Sequence, residues 1–234
     1  MKHRTIISAV ATALLCSVLA VAAAANGTPR ELYRNAFLTP AGHVAALAAG
    51  VTYEAGDFPL PIRVTSPDGS WGGAQWKSDS SFQHKKSTVA PFYGWVTFEQ
   101  HDTHAAQGAI TIMTPYGSTP TLGVVVAGLR TRGHGAAYEA TSPVKLGGYS
   151  GIQFDGKVVG NEHVFIPFSP KSTVAKWYPD NYGMGQGKVF RIIALNVHGK
   201  TVVVYLENAE LPADQFEAFL TRAATLLKTL KFAT

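Results

Sequence analysis

Beyond residue 25 the chain has no cysteine; its single one is Cys16. That stretch therefore forms no disulfide, carries no thiolate nucleophile and builds no zinc–thiolate centre. Charge is scarce as well, at 15% of residues, and the longest basic run is Lys85-Lys86. Nucleic-acid binders concentrate lysine and arginine into stripes, so a nucleic-acid partner is not expected. A nucleophile elbow is missing too. Gly148-Tyr149-Ser150-Gly151 comes near one, but the second glycine follows the serine at once, which breaks the G-x-S-x-G spacing and leaves a turn. Tyr182–Lys188 is rich in glycine, yet it leads into a strand pattern at Val189 rather than opening a helix. A phosphate loop needs the reverse order, so this segment reads as a flexible loop.

The first 25 residues carry the clearest signal. Lys2, His3 and Arg4 precede an uncharged stretch from Thr5 to Ala25, which ends Ala23-Ala24-Ala25 before Asn26-Gly27. A basic start, an apolar middle and a small-residue cleavage site make a secretory signal peptide, with cleavage expected after Ala25. The strongly apolar part, Ile6 to about Val21, is short of the roughly 20 residues of a spanning helix. No transmembrane span is expected after cleavage. Leu15 before Cys16 is too large for a lipid-attachment site. Cleavage leaves 234 − 25 = 209 residues and, with Lys2 and Arg4 gone, lowers the formal charge from +5 to +3.

The remainder reads as a linker or loosely docked arm over 26–50, with a helical turn around Val44–Ala49, followed by one domain over 51–234. Strand patterns recur between turn residues at Thr52–Glu54, Leu60–Thr65, Trp71–Lys77, Phe92–Glu99 and Ala109–Thr114. A loop is expected at His101–Gln107. Thr121–Arg132 reads as a helix, with Pro120 in its first turn, late Arg130 and Arg132, and a Gly133 stop. Strands resume at Val144–Leu146, Gly151–Val159 and His163–Phe168, before a long loop at Ser169–Gly187. Val189–Val197 and Thr201–Asn208 are β-branched runs around His198-Gly199-Lys200 and predict a tight hairpin. The last element is a helix from about Pro212 to Leu230, closed by Lys228 and Lys231. Its apolar stripe is Phe216, Phe219, Leu220, Ala223, Leu226, Leu227 and Leu230. This order predicts an α+β fold in which helices flank a mostly antiparallel sheet.

Chemistry-bearing residues are thinly spread. His101, Asp102 and His104 form the one cluster of metal-like composition, offering at most three ligands at the expected hairpin loop. A solvated polar turn explains them as well. Asp155, Glu162, Asp180 and Glu207 offer carboxylates for glycoside hydrolysis, but nothing in the spacing singles out a pair. Among the aromatics, Trp71, Trp76, Trp177, Tyr178 and Tyr182 are candidates to line a groove for a lipid, glycan or peptide. Core packing is the competing reading, above all at Trp71 and Trp76. No catalytic residue and no cofactor are implied.

Several stretches carry a resemblance together: Val51-Thr52-Tyr53, Phe58-Pro59-Leu60-Pro61, Pro67-Asp68-Gly69 before Trp71, Pro143 through Gly151, and the ending from Val189 through Leu211-Pro212-Ala213 to Leu230-Lys231-Phe232. They resemble small exported actinobacterial proteins of unassigned function, similar in arrangement to the PsbP-like α/β/α sandwiches. The resemblance implies an antiparallel sheet between helices, serving as a binding or accessory module, and carries no functional residue across. The expectation is a monomeric, extracytoplasmic binding domain whose partner is an envelope protein, a lipid or a glycan. The alternative is a secreted hydrolase, metal-assisted through His101, Asp102 and His104.

Overall fold

Two β-branched runs, Val189–Val197 (β13) and Lys200–Glu207 (β14), pair antiparallel and form the centre of the molecule. Both are buried on both faces, so their side chains alternate between two cores. Ile193, Leu195, Val197, Val202, Val204 and Leu206 belong to one; Phe190, Ile192, Ala194, Val203 and Tyr205 belong to the other. The computed structural model describes residues 27–33, 45–76, 95–102, 105–113, 121–124, 126–127, 136–160, 162–164, 183–208 and 211–233.

Around that centre lies a nine-stranded sheet. On one side β14 pairs with Ala105–Met113 (β7), and the order continues through Trp95–Asp102 (β6) and Trp71–Trp76 (β5) to Ala45–Ala46 (β2). On the other side β13 pairs with Tyr149–Val158 (β10), whose far edge carries Ala136–Tyr138 (β8) and Ser142–Leu146 (β9). Every pairing in this sheet is antiparallel. A smaller sheet has the order Arg30–Glu31 (β1), Thr52–Ala55 (β3), Ile62–Thr65 (β4) and Lys231–Phe232 (β15). Glu162–Val164 (β11) and Gly183–Gly185 (β12) make a separate pair.

The C-terminal helix follows the sequence stripe closely. A 3-10 turn at Ala213–Gln215 leads into Phe216–Leu227, with Phe216, Phe219, Leu220, Ala223, Leu226 and Leu227 buried. Gly108 makes the docking feasible: a Cβ there would collide with the Phe219 ring. The same ring lies 6.4 Å from the indole of Trp71. Fully burying a side chain such as Phe219 contributes about 1.5–3 kcal/mol. The helix ends earlier than its pattern suggests. Thr229 Oγ1 donates to the Leu226 carbonyl (2.7 Å) and accepts the Thr65 N–H (2.9 Å), turning the chain so that Lys231 lies in β15 rather than in a last helical turn. On the opposite face of the large sheet, residues 122–124 and 126–127 are helical, and Leu122 and Val126 pack on the second core. That agrees with the helix read from Thr121; its later residues lie outside the described ones.

Three expectations are corrected. Within the segment expected as a loose arm, β1 pairs parallel with β3, Leu32 is 1% exposed, and Ala45–Ala46 is strand rather than helical turn. Gln75, also 1% exposed, fixes the arm, its Nε2 donating to Glu31 Oε1 (2.6 Å) and to the Leu32 carbonyl (3.0 Å). Its Oε1 accepts the Asp57 N–H (3.1 Å), so the buried amide is satisfied, as burial requires. Second, the loop expected at His101–Gln107 is strand at both of its ends, because β6 runs through Asp102 and β7 starts at Ala105. Third, Gly183–Gly185 is strand, since backbone pairing with β11 needs no side chains.

Candidate binding surface

Some of the residues nominated by sequence fall among the described ones and others do not. Trp71 is 1% exposed inside the helix-side core, so it packs and cannot wall an open groove. The backbone of Trp76 pairs with that of Trp95 at the end of β5. Trp177, Tyr178 and Tyr182 lie outside the described residues. His101 stands opposite Ala106 and Asp102 opposite Ala105, just after a register shift in β6, while His104 lies outside the described residues. Among the described residues, no group of three or more histidine, cysteine, aspartate or glutamate side chains is placed to hold a metal.

One of the four scattered acids is explained outright. Asp155 on β10 stands opposite Arg191 on β13. Arg191 Nε donates to Oδ1 and Nη2 to Oδ2, each at 2.6 Å. This fork-on-fork geometry is the strong form of the contact. The side chains are 25% and 26% exposed, so solvent screens the pair only in part. The hydrogen bonds that Arg191 donates to Asp155 hold its guanidinium above its ordinary value; partial burial opposes this, while the charges of Asp155, Glu217 and Glu139 add to it. The carboxylate fastens neighbouring strands. Glu207 accepts a long hydrogen bond from the Tyr205 hydroxyl, 3.4 Å. The backbone of Glu162 lies in β11, and Asp180 lies outside the described residues.

The structure brings together a pair that sequence spacing conceals. Gly147 and Gly148 (φ +59° and +90°) turn β9 into β10, and His198 and Gly199 (φ +50° and +77°) turn β13 into β14. Two-residue turns with both φ values positive are type I′, whose twist matches the flanking strands. The turns lie side by side. Tyr149 Oη and His198 Nε2 are 2.6 Å apart, with their rings edge-on at 5.2 Å. Phe232 meets the Tyr149 ring edge-on at 5.6 Å, and a Cβ on Gly147 would lie 3.0 Å from the Phe232 ring. The corner is thus braced by the C-terminal strand. His198 and Lys200 are exposed, and Lys145 is exposed on β9. In the sequence His198 stands alone. Its signal was the pairing of two short turns, which depends on β10–β13 register and not on any local motif. The corner offers hydrogen bonds and positive charge and, among the described residues, no third group that orients the imidazole for proton transfer.

No family model matches the chain, and no curated protein matches it in sequence. Among solved structures, the chain is similar to the solution structure of cyanobacterial PsbP (CyanoP) from Synechocystis sp. PCC 6803, at 10% identity and a TM-score of 0.40, over 84% of this chain and 99% of that one. Among the described residues, no helix is long and apolar enough to cross a membrane.

Proposed function

We propose that this chain is an exported, non-catalytic binding or accessory domain, built as an α/β/α sandwich and acting as a monomer at the cell envelope. The observation that supports this most is the bidentate Asp155–Arg191 pair. A catalytic carboxylate must face a substrate, whereas this one is taken up in holding β10 to β13. The leader at 1–25 supports export. The partner is a lipid, a glycan or an envelope protein, with Trp76 and, from the Ser169–Gly187 segment, Trp177, Tyr178 and Tyr182 as aromatic contacts.

A thermal-shift screen of the exported protein against lipids, cell-wall glycans, divalent metals and chelator tests the proposal. A ligand specific to the folded state, at a hundredfold its Kd, adds about 2.7 kcal/mol, which is readily seen. A lipid or glycan shift without turnover is the expected result. A metal shift reversed by chelator, together with hydrolysis of any panel member, would replace this reading with a hydrolase using His101, Asp102 and His104.

A further inference from the structure

We infer that the corner formed by the Gly147-Gly148 and His198-Gly199 turns is a phosphate-binding site; this rests on the binding-domain reading above and names a ligand class for it.

His198 is the one non-glycine residue with positive φ among the described residues, at a turn position where asparagine and glycine are favoured. A side chain held there is worth a functional question. Its imidazole is locked against Tyr149, which Phe232 braces from behind. The hydrogen-bond arithmetic gives the same answer for either tautomer. If the phenol donates to Nε2, the neutral ring keeps an Nδ1–H. If Nε2–H donates to the phenol, the Tyr149 O–H is left over. One donor remains for a ligand in both cases.

Charge and access point the same way. Neither hairpin segment, 142–151 or 195–203, contains an acidic residue. Lys200 alternates with Val202 and Val204, which places it on the face where Tyr149 packs. It has no ion-pair partner among the described residues. Lys145, alternating with Val144 and Leu146, lies on the opposite face. A Cβ on Gly148 or Gly199 would meet nothing within 4 Å, so both turns stand open to an approaching group. The two hairpin segments thus offer an ammonium on the Tyr149 face, a leftover O–H or ring N–H and open glycine backbone, with no carboxylate of their own to repel an anion. That chemistry suits a tetrahedral oxyanion with several acceptor oxygens.

The test titrates the exported protein with inorganic phosphate by NMR, following the Gly148 and Gly199 amides and the His198 ring. Parallel co-sedimentation uses vesicles of phosphatidylglycerol or of phosphatidylcholine alone. Saturable shifts are expected, with Kd raised about tenfold in Lys200→Ala and in His198→Asn, the loss of about one charge-assisted hydrogen bond each. Asparagine accepts the left-handed turn, so His198→Asn keeps the fold. Lys145→Ala is expected to matter less, and Lys157→Ala, eight residues along β10 and roughly 27 Å away, not at all. Binding to phosphatidylglycerol vesicles without a free-phosphate response identifies a lipid headgroup as the source; response to both identifies phosphate itself. Absence of saturable shifts with both probes, or equal Kd in His198→Asn and the unaltered protein, overturns the site. A neutral glycan that stabilises the protein unchanged in those variants would overturn this site while leaving the binding-domain reading intact.

Discussion

On the helix side of the large sheet, Phe219 descends onto Gly108 from a helix at the far end of the chain, whereas on the opposite face the rings belong to the strands themselves. There Tyr138 meets Phe154 and Phe190 edge-on at 5.9 and 6.0 Å, and Phe190 lies 6.2 Å from Tyr205. Phe190 also covers Gly156, its cross-strand partner, so the aromatic fills the gap that glycine leaves. The first core is closed by a separate element from the end of the chain. The second is stitched ring to ring across its strands, with Leu122 and Val126 packed against it.

The largest test of this contrast is Phe219→Ala, expected to cost about 3–5 kcal/mol in urea denaturation, because the helix loses its deepest contact and leaves a cavity. A loss below about 1 kcal/mol would mean that the helix is not the main cover of that face. Gly156→Ala comes next, at about 1–3 kcal/mol by calorimetry, since the new methyl collides with Phe190. Adding Phe190→Leu should recover part of that loss, and strict additivity of the two would rule out the direct contact. Asp155→Asn follows, at about 1–2 kcal/mol for a partly exposed charge-assisted pair. A guanidinium held above its ordinary value keeps its contribution below that value and loses it only as pH rises through the higher one. The Asp155→Asn difference in melting is therefore expected to stay constant from roughly pH 7 to pH 10. A difference that decays within that window would place the charge balance elsewhere. The smallest effect belongs to Tyr149→Phe, within about 0.5 kcal/mol of the unaltered protein, as expected for an exposed hydroxyl. A loss above 1 kcal/mol would make the hairpin corner a structural joint.

Legibility in the sequence followed the range of the interaction. The C-terminal stripe from Phe216 to Leu230 and the hairpin at His198 are local periodicities, and they were readable as such. The two-residue strands β1, β2 and β15 were not, because each exists only through a partner far away, as Lys231 does opposite Arg63. The docked arm escaped for the same reason: its anchor, Gln75, lies 44 residues from Glu31. Trp71 carried no mark to separate a groove wall from a core filler, since bulk serves both. The corner residue His198 looked solitary because Tyr149 is 49 residues away.

The hydrogen bond between Thr65 and Thr229 spans 164 residues and joins the small sheet to the end of the helix. Pairing of β4 with β15 therefore has to wait until almost the whole chain is available. Topologies dominated by such distant contacts fold slowly, because loop closure must come before any reward. Under the export proposed above, this delay would keep β4 from pairing with β15 until the C-terminal residues had crossed. Refolding of the protein is accordingly expected on the millisecond-to-second scale typical of β-rich domains, and slower in Thr229→Ala if that clasp already forms in the transition state.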